Sequence, residues 1–179
     1  LTNDAGEPVA YPQSLRVNLW TVNRPLWAAY FGDEPVPATW EALFDAMLRF
    51  EADAGPEDGV FFLEEWDYLG MVRRVVRAYI EQRDTADEPL RFQDPALRRA
   101  LEALARVNEA MLARGISYAA EWDAYPEEET LSHSIFYTFG GGGALCPLGE
   151  DSEALLPFAF EKTDTPVIRG YMSVLIVNP

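Results

Sequence analysis

A chain of 179 residues is long enough to bury one substantial core, and its 49% hydrophobic and 13% aromatic content excludes a disordered polyelectrolyte despite a formal net charge of -16. That charge repels nucleic acid and anionic membrane surfaces, so neither is expected as a partner, and solubility is its simplest use. A single cysteine, Cys146, excludes an internal disulfide and a multi-cysteine zinc site, and no apolar run reaches the ~18 residues of a membrane span.

In the opening run, Gly6 to Trp20, the apolar residues alternate from Leu15: Leu15, Val17 and Leu19 against Arg16, Asn18 and Trp20. That is the period of a strand with two unlike faces. Pro12 belongs at an edge or a change of course, because it cannot donate to a ladder. The most strand-like run is the last, Gly170 to Asn178, and the two runs are expected to pair and bring the termini together. With no legible signal peptide and Leu1 in first place, the sequence reads as a processed product or a piece of a longer chain.

Asn23-Arg24-Pro25 opens a helix from Leu26 to Phe31 that stops at Gly32. After a proline-bounded connection at Asp33 to Pro37, Thr39 caps a second helix, with Glu41 favourably placed in its first turn. Its apolar stripe is Trp40, Leu43, Phe44, Met47 and Phe50, a core pattern. Glu51 to Gly59 reads as a solvated acidic turn without the ligand register of a calcium loop. Val60 to Leu63 is a short buried-type strand that runs through Glu64-Glu65-Trp66-Asp67 into a helix from Tyr68 to Arg83. Leu69, Val72, Val76 and Tyr79 form that helix's expected inner stripe, and Arg73, Arg74, Arg77 and Arg83 lie mostly outside it.

Asp94-Pro95 is the clearest helix start, and Leu97, Ala100, Leu101, Leu104, Val107 and Met111 keep helical spacing towards Gly115. Tyr125 to Leu131 is a second acidic segment with the makings of a short helix. Ser134 to Phe139 is a strand leading into Gly140-Gly141-Gly142-Gly143. A polar loop over Gly149 to Glu153 precedes an edge strand at Leu155 to Phe160, interrupted by Pro157. The fold class is therefore α/β, a single lobe over 1–179 with a mixed four- to five-stranded sheet covered by helices. Its ligand belongs on the loops at the strands' carboxyl ends.

Three constellations carry possible chemistry. The four glycines precede Ala144-Leu145-Cys146-Pro147, with neither the lysine and hydroxyl of a P-loop nor the helix of a dinucleotide fingerprint, so they read as a flexible loop or a close backbone approach to a ligand. His133 and Cys146 are single residues of their kinds without a supporting motif, which is ordinarily coincidence rather than a thiol-imidazole pair. Glu64, Glu65 and Asp67 match a glycosidase acid/base pair in type, although clustered acids at a helix start also suit the helix dipole. Trp66 among them suits a sugar ring, an aromatic face flanked by hydroxyl acceptors, as well as it suits a core. No cofactor or metal is implied.

Taken in order, four runs resemble extracellular solute-binding proteins of ABC importers, the sugar-binding branch typified by maltose-binding protein. Gly6 to Trp20 with Val22-Asn23 is similar to the family's "G-K-x-Y-A-x-P... Y-N" crossover. Pro37-Ala38-Thr39-Trp40-Glu41-Ala42-Leu43 is similar to "P-P-x-T-W-E-E-L", and Leu90 to Leu101 to "f-d-x-P-x-f-r-x-A-L". Gly170 to Pro179 resembles the strand returning to the other lobe. The resemblance spans nearly the whole chain and corresponds to the second lobe of a two-lobed protein.

The resemblance implies a periplasmic-binding-protein-like lobe, non-enzymatic, that binds a small solute, most readily a sugar. It also implies partners: the first lobe and the membrane permease of an ABC importer. Location would be extracellular or periplasmic, tethered as a lipoprotein. Position by position it assigns ligand contacts to Arg16, Glu64, Glu65 and Trp66. It also assigns contacts to Gly141 and Gly142, where the family often carries an aromatic residue and where a smaller ligand, or one touching bare backbone amides, fits as well. Two rival readings are a glycan hydrolase using Glu64, Glu65 or Asp67 and an acidic protein-interaction module.

Overall fold

The computed structural model of the protein describes residues 10–17, 19–53, 59–63, 66–83, 90–114, 133–139, 151–168 and 170–176. Strand β1 (Ala10–Val17) pairs antiparallel with β6 (Gly170–Ile176), setting Arg16 opposite Tyr171 and Val17 opposite Gly170. The register shifts between Pro12 and Ser14, the kind of irregularity that accommodates a residue without an N–H. The expected pairing of the two end runs is thus present, but as a two-stranded ribbon of its own.

The alternation from Leu15 to Trp20 belongs to two strands. β1 ends at Val17 and β2 (Leu19–Asn23) enters a different, four-stranded sheet of order β3-β4-β2-β5. Strand β3 is Phe61–Leu63, β4 is Ser134–Phe139 and β5 is Ser152–Leu155. β2 lies between β4 and β5, and Trp20, Thr21 and Val22 are all buried. A central strand buried on both faces has no reason to alternate, which is why the periodicity gave no sign of the break. β3 runs parallel to β4 and the other pairs are antiparallel, so the sheet is mixed, as expected.

The edge strand falls earlier than the hydrophobic run suggested. β5 occupies part of the polar stretch, whereas Phe158 and Phe160 leave the ladder to fill the core, 1% and 3% exposed. Pro157 forbids a ladder bond there, and the exposed Glu153 and Ala154 suit an edge. Ala159 makes one parallel bridge with Thr39.

Helix α1 (Arg24–Phe31) begins as its sequence indicates, with Asn23 Oδ1 accepting from the Leu26 N–H at 3.2 Å and Pro25 in the first turn. It ends on Gly32, whose φ of 61° is the left-handed conformation that glycine adopts without strain. Helix α2 (Trp40–Asp53) buries the expected Trp40, Leu43, Phe44, Met47 and Phe50. It also buries Glu51, so the sequence reading of that residue as solvated is wrong. The helix continues past it, and Arg114, at the end of helix α4 (Pro95–Ala113), meets its carboxylate at 3.5 Å. The burial of this acid is tolerated because a cation accompanies it.

Helix α3 (Tyr68–Arg83) has the expected span but a different inner stripe. Met71, Val75 and Tyr79 are buried, Val72 and Val76 are half-buried, and Leu69 is 62% exposed. Both stripes contain Tyr79 and have helical spacing, so periodicity alone could not choose between them. One core joins side chains of all four helices with β2, β3 and β4. At its centre Trp20 contacts Trp40 edge-on at 6.0 Å and Phe158 at 5.2 Å between ring centroids, pairs that add about 0.5–1.5 kcal/mol each beyond their burial. The acidic segment Tyr125 to Leu131 lies outside the described residues.

Candidate functional site

Four chain stretches reach one end of the four-stranded sheet. Leu63 of β3 is level with Phe136 of its parallel neighbour β4, so β3 and β4 run out towards the same end. Leu19 pairs with Phe139, so antiparallel β2 starts there, and β5 finishes there with Leu155 opposite Trp20. The β1–β6 ribbon closes at Val17 and Gly170, and Val17 is two residues from Leu19. The chain leaves β3 level with Phe136 and leaves β4 three residues, about 10 Å, further on, both in the same direction on neighbouring strands.

Of the six residues singled out from the sequence, two have a described place. Arg16 is on β1, one residue from the ribbon's close. Trp66, between β3 and α3, is half-buried and packs against the core. Glu64, Glu65, Gly141 and Gly142 lie outside the described residues, as does Cys146.

The acids can be weighed through Asp67. Its Oδ1 accepts the Leu69 N–H at 3.1 Å and its backbone oxygen accepts the Met71 N–H at 2.7 Å. Asp67 therefore caps α3, the structural use its place before the helix allowed. A capping carboxylate spends an oxygen on the backbone, an employment separate from proton transfer. His133 stands at the amino end of β4, where its backbone oxygen accepts the Phe61 N–H at 2.8 Å. Six residues of strand, about 20 Å, separate it from the far end of β4, but β3 ends level with Phe136, only three residues from His133.

Residues without a site role in the sequence reading are exposed as well. Leu69, in the first turn of α3, and Leu156, just past β5, are each 62% exposed, and Ile168, two residues before β6, is 49% exposed. The Arg74 guanidinium stands 5.9 Å from the centre of the Trp20 ring, near the start of β2. A cap at Asp67 already fixes Leu69 in a first helical turn, and Pro157 already ends a ladder after Leu156.

Two open surface concavities, of about 510 and 470 Å³, are lined from Phe92, Leu97 and Leu101 and from Tyr79, Arg83 and Asp94 respectively. Neither includes a residue of the strand ends. Among the described residues no group of three His, Cys, Asp or Glu could hold a metal ion, and no helix is long and apolar enough to cross a membrane.

No protein-family model matches the chain, and no curated protein matches it. Solved structures do. A family 1 extracellular solute-binding protein from Bifidobacterium longum subsp. infantis superposes with a TM-score of 0.55 at 15% identity, over 97% of this chain and 47% of that one. A probable secreted solute-binding lipoprotein from Streptomyces coelicolor gives 0.52 at 18% identity, over 98% and 46%. A chitin oligosaccharide binding protein gives 0.51 at 17% identity, over 97% and 45%. The chain spans about half the length of the structures it matches. It therefore has the fold of one lobe of a family 1 extracellular solute-binding protein, and the likeness read from its sequence holds at the level of fold.

Proposed function

We propose that this chain is the ligand-binding lobe of an extracellular solute-binding protein, which hands a carbohydrate to the permease of an ABC importer by closing a cleft against a second lobe. The observation that carries the reading is the convergence of β2, β3, β4 and β5 with the β1–β6 ribbon at one sheet end. That end receives both chain crossings of the ribbon and the connections beyond β3 and β4. In open α/β sheets a crevice outside the strand ends is where ligands bind.

Arg16, Glu64, Glu65, Trp66, Gly141 and Gly142 supply this lobe's contacts. Trp66 offers its ring to an apolar sugar face, the two glutamates accept hydroxyl hydrogen bonds, and the glycines let backbone amides approach. The second lobe supplies the remaining contacts. Carbohydrate is the favoured solute because Trp66 beside carboxylates suits it, and because one structural neighbour is described as a chitin oligosaccharide binding protein. The protein is non-enzymatic and acts outside the cytoplasm, held to the membrane as a lipoprotein.

The test is a thermal-shift series on the full-length protein with mono- and oligosaccharides, amino acids and peptides, with the 179-residue chain run alongside. A sugar at a hundredfold excess over its dissociation constant stabilises the protein by about 2.7 kcal/mol. Stabilisation of the full-length protein with little effect on the lobe alone is expected. Turnover of aryl glycosides that disappears in Glu64→Gln or Glu65→Gln would instead establish the hydrolase.

A further inference from the structure

Helix α4 buries one side in the core and leaves an apolar strip beside it uncovered. At about 100° per residue, Leu97, Leu101, Ala105 and Leu112 fall within about 80° of the helix circumference, next to the buried Leu104 and Met111. Leu97 is buried, Leu101 and Ala105 are half-buried, and Leu112 is 67% exposed, the most of any large apolar side chain among the described residues. At the other end of the strip Phe92, 58% exposed, joins Leu97, Leu101 and Ala105 in lining the open hollow of about 510 Å³. A hollow and a projecting leucine thus share one line along the helix, with about 22 Å of rise between Leu97 and Leu112. A single exposed leucine needs no explanation, but a leucine matched to a hollow on the same line does.

The charges along the strip are balanced, although the chain carries a net charge of -16 that opposes self-association over most of its surface. Arg98, Glu102, Arg106 and Glu109 are all exposed on the outer side of α4, two of each sign. Arg106 bonds Asp45 of α2 at 2.9 Å, and Arg98 approaches Glu102 at 3.6 Å with both side chains mostly in water. Glu109 has no ion-pair partner among the described residues. A second copy of α4 running in the opposite direction reads this pattern in reverse. With a twofold axis beside Ala105, Leu112 of each copy comes level with Leu97 of the other, at that copy's hollow, and Leu101 comes level with Asn108. Like flanks of two such helices face each other, so Arg98 of each copy comes within about 3 Å of rise of the other's Glu109, once on each side of the axis.

We propose that this side of α4 is a docking surface for a second copy of the protein, which pairs antiparallel across a twofold axis, seats each Leu112 in the other copy's hollow and sets each Arg98 against the other's Glu109. One helix supplies the projection, the hollow and both charges, and the four fall into register together. A strongly charged partner finds no excess of opposite charge on this side, whereas the helix matches itself. The contact is one helix long, shorter than a standard stable interface, so the pairing is reversible, with a dissociation constant on the order of 100 μM. The inference is independent of the solute, because every residue in it belongs to α4 or to the turn before it.

Sedimentation equilibrium of the full-length protein tests this, from about 10 μM to about 1 mM at an ionic strength of about 0.15 M, where repulsion between the acidic surfaces is screened. The weight-average mass of wild type should climb towards that of a dimer. Leu112→Asn removes the projection from both sides of the axis and should weaken association about tenfold or more. Arg98→Glu and Glu109→Arg each set like charges together twice, and each alone should weaken it about fivefold. An equimolar mixture of those two variants restores both opposite-charge pairs and should associate as wild type does, a recovery that only the antiparallel twofold arrangement gives. All three residues are exposed, and the two reversals favour the helix dipole, so the melting temperature at low concentration should not fall. A wild type that stays monomeric at about 1 mM overturns the inference and leaves the strip to an unlike partner. Association untouched by Leu112→Asn, or a mixture no stronger than either single variant, overturns it as well.

Discussion

Helices α3 and α4 begin with the same chemistry and put it to different use. Each is capped by an aspartate whose Oδ1 accepts an N–H two residues on, Asp67 from Leu69 at 3.1 Å and Asp94 from Ala96 at 2.8 Å. Around Asp94 the chain closes into a corner. The Tyr79 hydroxyl reaches its Oδ2 at 3.3 Å, and Arg83 Nε approaches it at 3.6 Å. Arg83 also holds both oxygens of Asp164 at 3.0 and 3.1 Å, and Asp164 accepts the backbone N–H groups of Phe160 and Glu161. The end of α3, the start of α4 and the 160–164 turn are thus tied together. Asp67 is exposed, and its neighbours Trp66 and Leu69 are apolar. One cap anchors the fold, and the other leaves a helix start open at the sheet end where a ligand is proposed.

The difference should be largest when the caps are deleted. Asp94→Ala loses a cap worth about 1 kcal/mol and two further partners worth about 1 kcal/mol each, so a total of about 2–3 kcal/mol is expected. Urea unfolding measures it, with an unchanged slope against denaturant showing that the change is one of stability. A loss no larger than a cap alone would mean that the corner adds nothing to α4.

Tyr79→Phe cuts the same corner from the other side. The Tyr79 hydroxyl also donates to the Arg91 backbone oxygen at 2.7 Å, and its loss should cost about 1–1.5 kcal/mol. A pH signature accompanies it. Burial first, then the charge and hydrogen bond of Asp94, raise the Tyr79 phenol above its ordinary value of 10.0. A group raised in the folded state contributes stability that is complete below its unfolded pKa and lost as pH rises through the folded one. Wild type should therefore lose stability above about pH 10 to an extent that Tyr79→Phe does not, and the gap between them should narrow there. A constant gap across that range would detach the tyrosine from Asp94.

What was legible follows from where the determinants sit. The four helices were readable because caps and stripes are local: Asn23, Thr39 and Asp94 each bond within their own first turn. The ribbon of β1 and β6 was readable because both runs are strongly strand-like. The end of β1 at Val17, the earlier place of β5 and the burial of Glu51 were not, since each depends on a distant partner: a second sheet, the core seats of Phe158 and Phe160, and Arg114. Of the site, Trp66 and the direction of the strand ends could be found from strand-to-helix order. The exposure of Leu69 and Leu156 could not, because an apolar residue in a helical or strand-like run reads as core until packing says otherwise.

Asp67→Ala should cost less than either change at the corner, about 0.5–1 kcal/mol, because among the described residues its carboxylate makes the cap bond alone. The smallest effect is the sharpest probe of that cap. The Asp67 side chain folds over Gly70, so a Cβ at Gly70 would meet Asp67 Oδ2 at 2.5 Å and Cγ at 3.0 Å. Alanine within a helix is favoured over glycine by about 0.5–1 kcal/mol, but here it must first displace the cap. In wild type the two effects offset, and Gly70→Ala should change stability by less than about 0.5 kcal/mol. In the Asp67→Ala background the obstruction is gone, and the same substitution should stabilise by nearly its full helical preference. The coupling read from this double-mutant cycle measures the cap without removing any other contact. If Gly70→Ala stabilises equally in both backgrounds, the Asp67 carboxylate does not lie over the first turn. It would then be unengaged by the helix backbone, and the hydrolase reading would regain its third acid.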